Sequence, residues 1–180
     1  MTPSSGATFS ADGIWRYRLW RRWSEAPPVC LVGLNPSTAD GHRDDPTIRR
    51  CVRFAQRWGH GGIEMVNLYA FCATDPAGLW AEPEARRRGP GWASAFWAAV
   101  RRSDRVVACW GGFNRTSASQ RRDAERRAAV VTGRFQARGI GLWHLGLTAT
   151  GQPRHPLYLP GDRDPQTWIS ASTASAQSPE

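Results

Sequence analysis

Lysine is absent from the 180 residues: all 24 strongly basic side chains are arginine, set against 15 acids for a formal net charge of +9. With no lysine amine, no side chain can form a Schiff base, which leaves only the N-terminal amine for such chemistry. Arginine presents a planar fork that holds phosphate in bidentate fashion, so an all-arginine surface points to DNA as partner; a coding bias would explain the missing lysine, but not the excess charge. Close cysteine pairs are missing too. Cys30, Cys51, Cys72 and Cys109 are widely spaced, three of them in apolar segments that read as strands. They are expected to be buried small hydrophobes in a reducing compartment, not a disulfide frame or a metal cluster. No metal-ligand spacing joins His42, His60, His144 and His155, so neither a metal nor a cofactor is expected. No apolar run approaches bilayer length, and the N-terminus lacks a charged stretch followed by an apolar core. A cytoplasmic monomer without membrane contact is expected.

The length suits one domain with a real core. Residues 1–13 are small and polar and residues 170–180 are of low complexity, so frayed ends are expected around a folded body at 14–169. Ile14 to Trp20 alternates apolar and basic residues as a half-buried strand does, and Val29 to Gly33 is a continuous apolar run, as in a strand covered on both faces. Asp45-Pro46 opens an amphipathic helix carrying Ile48, Cys51, Val52, Ala55 and Trp58 on one face and closed by Gly59. Strands follow at 63–68, 105–110 and 141–146, with helices at 91–102 and 118–137. This alternation predicts an α/β fold, a three-layer sandwich with a central, mainly parallel sheet, whose ligand site lies beyond the carboxyl ends of the strands.

Four loops follow strands and can meet in one crevice. The turn Gly33-Leu34-Asn35-Pro36-Ser37 offers backbone N–H groups and an amide that could hold a base or phosphate, although Asn-Pro is also a common turn former. Asn67 ends an apolar strand with both donors and an acceptor, suited to the edge of a nucleobase or to a plain strand-end bond. The Gly111-Gly112 loop comes next. In Arg154-His155-Pro156-Leu157-Tyr158 the proline holds His155 extended, where it could meet a ligand or pack structurally, and Leu157 could wedge into a base stack. His144 reads as a strand or core residue. Of Asp40, Asp44 and Asp45, one could orient a water, while helix capping already explains Asp45. The arginines of 121–138 could track phosphates or form a solvated face, and ten tryptophans single out no stacking residue.

Over residues 14–160 the chain resembles a bacterial and phage family known only as a domain of unknown function. The marks are Gly33-Leu-Asn-Pro-Ser-Thr-Ala-Asp40, Asp45-Pro-Thr-Ile-Arg-Arg50, Val66-Asn-Leu-Tyr-Ala70 and Gly151-Gln-Pro-Arg-His-Pro-Leu-Tyr158. More distantly, three of these sites in the same order resemble the uracil-DNA glycosylase superfamily. That resemblance implies a uracil-DNA glycosylase-like fold and a monofunctional DNA N-glycosylase that flips a pyrimidine and leaves an abasic site. It assigns Asn35 and His155 to catalysis, Gly33, Leu34, Pro36, Ser37, Asn67 and Tyr69 to the base, and Arg154, Leu157 and Arg115 to DNA. Two departures bear on substrate. Asn35 stands where the strict uracil enzymes have aspartate; it can position water but is no general base. Ser37 replaces a tyrosine that blocks ring substituents, which implies a 5-substituted or hypermodified base, removed in repair or in defence against phage. A hydrolase of free nucleosides or nucleotides, and a non-catalytic nucleic-acid-binding module, remain open alternatives.

Overall fold

A computed structural model describes residues 2–113 and 116–171. Seven strands form one mixed sheet: β1 (Ser4–Phe9), β2 (Arg16–Arg22), β3 (Pro28–Gly33), β4 (Gly62–Asn67), β5 (Arg105–Ala108), β6 (Leu142–His144) and β7 (Gln166–Ile169). Their spatial order is β1-β2-β4-β3-β5-β6-β7. The central β4-β3-β5-β6 ladder is parallel, and β1, β2 and β7 join antiparallel at the two margins. The α/β expectation with a parallel centre therefore holds, and the margins correct it. The Ile14–Trp20 strand runs antiparallel to β4. Ser4–Phe9, expected to fray, is an edge strand because its backbone pairs with β2 from Ser4↔Arg22 to Phe9↔Arg16. Polar, small side chains hid it, since an edge strand draws its order from ladder hydrogen bonds more than from burial. At the other end, β7 also escaped sequence patterning, and residues 172–180 of the expected frayed tail lie outside the described residues.

Helices lie on both faces: α1 (Pro46–Arg57), α2 (Pro76–Ala81), α3 (Glu84–Arg88), α4 (Trp92–Arg102) and α5 (Ala118–Ala137). Strand side chains point alternately to the two faces, so the apolar runs of β3 and β4 feed two separate cores. Val29, Leu31, Ile63 and Met65 meet Ile48, Cys51, Phe54 and Ala55 of α1. Cys30, Val32, Val66 and Leu68 meet α4 and α5 through Phe96, Val100, Val131 and Phe135. Burying a side chain of this size contributes about 1.5–3 kcal/mol. The helix α1 starts as its sequence dictates: Asp45 caps it by accepting from the Ile48 backbone N–H at 2.8 Å, and Pro46 sits in the first turn. Phe54, not Val52 or Trp58, completes its buried face.

The cysteines are free, with Cys30, Cys51 and Cys109 buried and Cys72 half-buried. Burial pushes the Cys109 thiol up to about 12 and the Cys30 and Cys51 thiols up as well, which makes all three inert. Among the described residues no helix is long and apolar enough to cross a membrane.

Candidate functional site

The chain runs from β3 through α1 to β4 on one side, then from β4 back past β3 to β5 on the other. The strand order thus reverses at β3, and loops leaving β3 and β5 diverge there. Ligands of open α/β sheets bind at such a point. Here the sheet leaves a cavity of about 190 Å³, lined among others by Gly33, Leu34, Asn35, Ser37, Met65, Asn67, Trp110 and His155. Residues from four separated stretches of sequence therefore meet around one small space.

Several backbone bonds fix this meeting. The β3–β4 pairing continues beyond the strands, with Leu68 N donating to Gly33 O and Tyr69 N to Leu34 O, both at 2.9 Å. Asn35 cross-braces two loops: its Nδ2 donates to Pro36 O at 2.9 Å and to Ala73 O at 2.8 Å. Its Oδ1 makes no bond among the described residues and is left as the free acceptor. Asn67 is 3 % exposed, and its Oδ1 has no partner among the described residues. The Trp92 indole holds the same residue's backbone carbonyl at 2.8 Å, so the strand end is anchored while the amide is unspent. Gly33 makes room for that amide: a Cβ there would lie 2.6 Å from Asn67 Oδ1 and 2.7 Å from Met65 Cε.

The His155 loop is brought in by Gly111 N donating to Pro153 O at 2.9 Å, with Gly111 at φ +88°, a conformation that favours glycine. His155 Nδ1 accepts from Leu157 N at 3.3 Å, so the neutral ring carries its proton on Nε2. Burial holds the His155 pKa below its ordinary value, partly opposed by the Asp45 carboxylate. A neutral imidazole with a free Nε2–H can donate to an oxygen or nitrogen that gains negative charge.

Not every expected residue joins the cavity. Ser37 is exposed at its rim, and Pro36 is buried beneath it, contributing a carbonyl to the brace. Tyr69 is turned away: it is fully buried against Trp80, with Arg87 and Arg127 over its ring, and lines no part of the cavity. β4 ends at Asn67, so strand alternation lapses there and Tyr69 packs with Leu68 on the α4–α5 side instead of sharing a face with Asn67. Arg154 lines an adjoining groove of about 410 Å³ together with Trp80, Gly111, Phe113 and Tyr158, and this groove shares Leu34, Trp110 and His155 with the cavity. The Gly111-Gly112 loop thus reaches the groove. Leu157 is exposed beside it, Tyr158 is 70 % exposed, and Arg115 lies outside the described residues. His144 is buried, as expected of a strand residue, and its Nδ1 accepts from Gly146 N at 2.9 Å.

Sequence reasoning singled out none of Arg16, Thr47, Ile48, Met65, Ala73, Thr74 and Trp110 for the site, although all line the cavity, and it took Asp45 chiefly as a cap, with a water-orienting role open to one of Asp40, Asp44 and Asp45. Asp45 carries a signal, the Asp-Pro start of α1. Arg16 carries none, because a basic residue in an alternating strand reads as solvent-facing. Among the described residues no group of three or more His, Cys, Asp or Glu side chains could hold a metal ion.

Fold and site together define an α/β domain with a mixed sheet and a strand-end cavity of unspent amide and imidazole groups. A family model described as "Protein of unknown function (DUF1643)" matches residues 16–157, and the chain belongs to that family. No curated protein and no solved structure matches it significantly.

Proposed function

We propose that this protein is a monofunctional DNA glycosylase that cleaves the N-glycosidic bond of a flipped pyrimidine, 5-substituted or hypermodified, and leaves an abasic site. The observation that carries the reading is the convergence of Asn35, Asn67 and His155 on one cavity, each with a polar atom that the protein itself does not use. Asn35 Oδ1 orients the attacking water. The Asn67 amide reads the base edge with one donor and one acceptor. Nε2–H of neutral His155 donates to the departing base as it gains charge, a preorganised electrostatic contribution. Bond cleavage passes the glycosidic electron pair to the base, water adds to the sugar carbon, and the proton it loses returns to the base or to solvent.

Size supports a base over a whole nucleotide. The cavity, at about 190 Å³, falls below the roughly 300–1,000 Å³ usual for drug-sized ligands. A single ring fits, with sugar and phosphates left to the adjoining groove and its Arg154. The small Ser37 at the rim leaves an opening for a ring substituent.

The test is an abasic-site assay on duplex and single-stranded DNA containing uracil, mismatched thymine or 5-modified cytosines. The expected result is strand scission after alkali with a 5-substituted substrate, reduced by at least about 100-fold in Asn35→Ala or His155→Ala. Faster release of uracil than of any 5-substituted pyrimidine would remove the substrate preference. Release from none of them, with salt-sensitive DNA binding retained in both variants, would identify a binding module instead.

A further inference from the structure

Arg16, the first residue of β2, faces the same cavity and is 3 % exposed. Its guanidinium has five N–H donors, and the fold uses few of them. NH1 donates to Ala39 O at 2.5 Å, while Nε is buried without a partner. Among the described residues no carboxylate lies within 4.0 Å of it in an ion pair, in contrast to Arg18 two residues on, which clasps Glu64 with both Nε and NH2. Asp45 lines the same cavity, but its Oδ1 is engaged at the Ile48 N–H and it stops short of ion-pair distance from Arg16. Asp40 Oδ1 accepts from the backbone N–H groups of His42 and Arg43.

A buried guanidinium without an acid is expensive unless something enters to pair with it. Burial pulls the Arg16 pKa below that of an ordinary arginine, but the group stays charged at neutral pH. Its place is informative as well. Through Ala39 it sits against the segment that carries Ser37, the opening assigned above to a ring substituent.

We infer that Arg16 makes the cavity an oxyanion site, and that its ligand is a pyrimidine ring bearing an acidic oxygen group, a carboxylate in preference to a phosphate. The ligand's two oxygens take the free guanidinium donors while its ring meets the Asn67 amide. The carboxylate is favoured because ring plus carboxyl is close to what a cavity of about 190 Å³ admits, whereas a nucleotide is not. This identity of the ligand rests on the base-binding reading of the site, but binding alone tests it, with no turnover required.

Isothermal titration of the full chain with uracil, uracil-5-carboxylate, uridine monophosphate and inorganic phosphate is the experiment. Uracil-5-carboxylate should bind at least about tenfold tighter than uracil, as a charge-assisted bidentate contact gives. Arg16→Gln should erase that ratio, and Arg16→Lys should restore part of it. Circular dichroism and melting temperature establish that each variant is folded. Equal binding of uracil and its carboxylate, or a ratio that survives Arg16→Gln, overturns the oxyanion site. Arg16-dependent binding of phosphate or the monophosphate, tighter than that of the carboxylate, keeps the oxyanion site and overturns the carboxylate as its ligand. Absence of base release from DNA together with Arg16-dependent carboxylate binding would defeat the glycosylase reading and leave this one standing.

Discussion

Replacing Gly33 by alanine tests the geometry of the site through a single methyl group. The residue's backbone is ordinary extended strand, so alanine meets no dihedral strain and even gains roughly 0.4–1 kcal/mol from a less flexible unfolded chain. Space decides the sign. The new Cβ would stand 2.6 Å from Asn67 Oδ1, where ordinary contact begins at 3.4 Å, so the amide must retreat by about 0.8 Å (3.4 − 2.6). Met65 Cε, at 2.7 Å, is the far end of a flexible chain and can swing aside. Asn67 has a short side chain on a strand end held by Trp92, and it cannot yield as cheaply. Overpacking of this kind costs about 1–3 kcal/mol, and a displacement near 1 Å in a positioning group can lower a rate by about 100-fold. Gly33→Ala should therefore lose stability and most base release together. The discriminating measurement is a double-mutant cycle by urea unfolding at constant m-value. In an Asn67→Ala background the cost of Gly33→Ala should drop below about 1 kcal/mol, because the clashing oxygen is gone. Asn67→Ala alone should be near neutral in stability, since it also removes a buried acceptor without a partner. If Gly33→Ala costs the same in both backgrounds, the packing of Asn67 against Gly33 is not what the glycine is for.

Tyr69→Phe should be neutral or stabilising by up to about 1 kcal/mol in thermal or urea unfolding, because its buried hydroxyl has no partner and its ring contacts survive; a loss above that would mean the hydroxyl is satisfied by bound water. Asp45→Asn should leave stability within about 0.5 kcal/mol, as asparagine caps equally well, while Asp45→Ala should cost about 1 kcal/mol in the same assay. Burial holds His60, His144 and His155 below their ordinary pKa of 6.5, with Asp104 opposing the shift at His60. The unfolded chain then binds protons that the fold does not, so stability should fall as pH drops from 6.5 toward the lowered folded values, and stay level with respect to these groups above 6.5. His155→Gln should reduce that acid-side slope. Base release should follow the same limb, flat at neutral pH and declining as His155 becomes protonated; a rate that rises on acidification would show that the protonated ring is the active form.

Burial on both faces made β3 and β4 readable in the chain, since a strand packed between two helical layers must be apolar at consecutive positions. Asp45-Pro46 marked the start of α1, and the turns at Asn35, Asn67 and His155 announced themselves as polar groups after apolar runs. Periodicity could not separate β2 as an antiparallel neighbour of β4, nor reveal β1 and β7, whose order comes from pairing with strands distant in sequence. The face of Tyr69 and the pairing of Arg16 were equally illegible. A strand assigns side chains to two sides, but only the neighbouring layers determine what each side contains. Local sequence thus determined which groups stand at the strand ends and how the helices are capped. Tertiary structure alone decided that Asn35, Asn67 and His155 share one cavity, that Arg18 meets an acid, and that Arg16 does not. The long-range partners are Ala39 for Arg16, Glu64 for Arg18 and Ala73 for Asn35, which lie 23, 46 and 38 residues away along the chain, and distance through space is set by the sheet order.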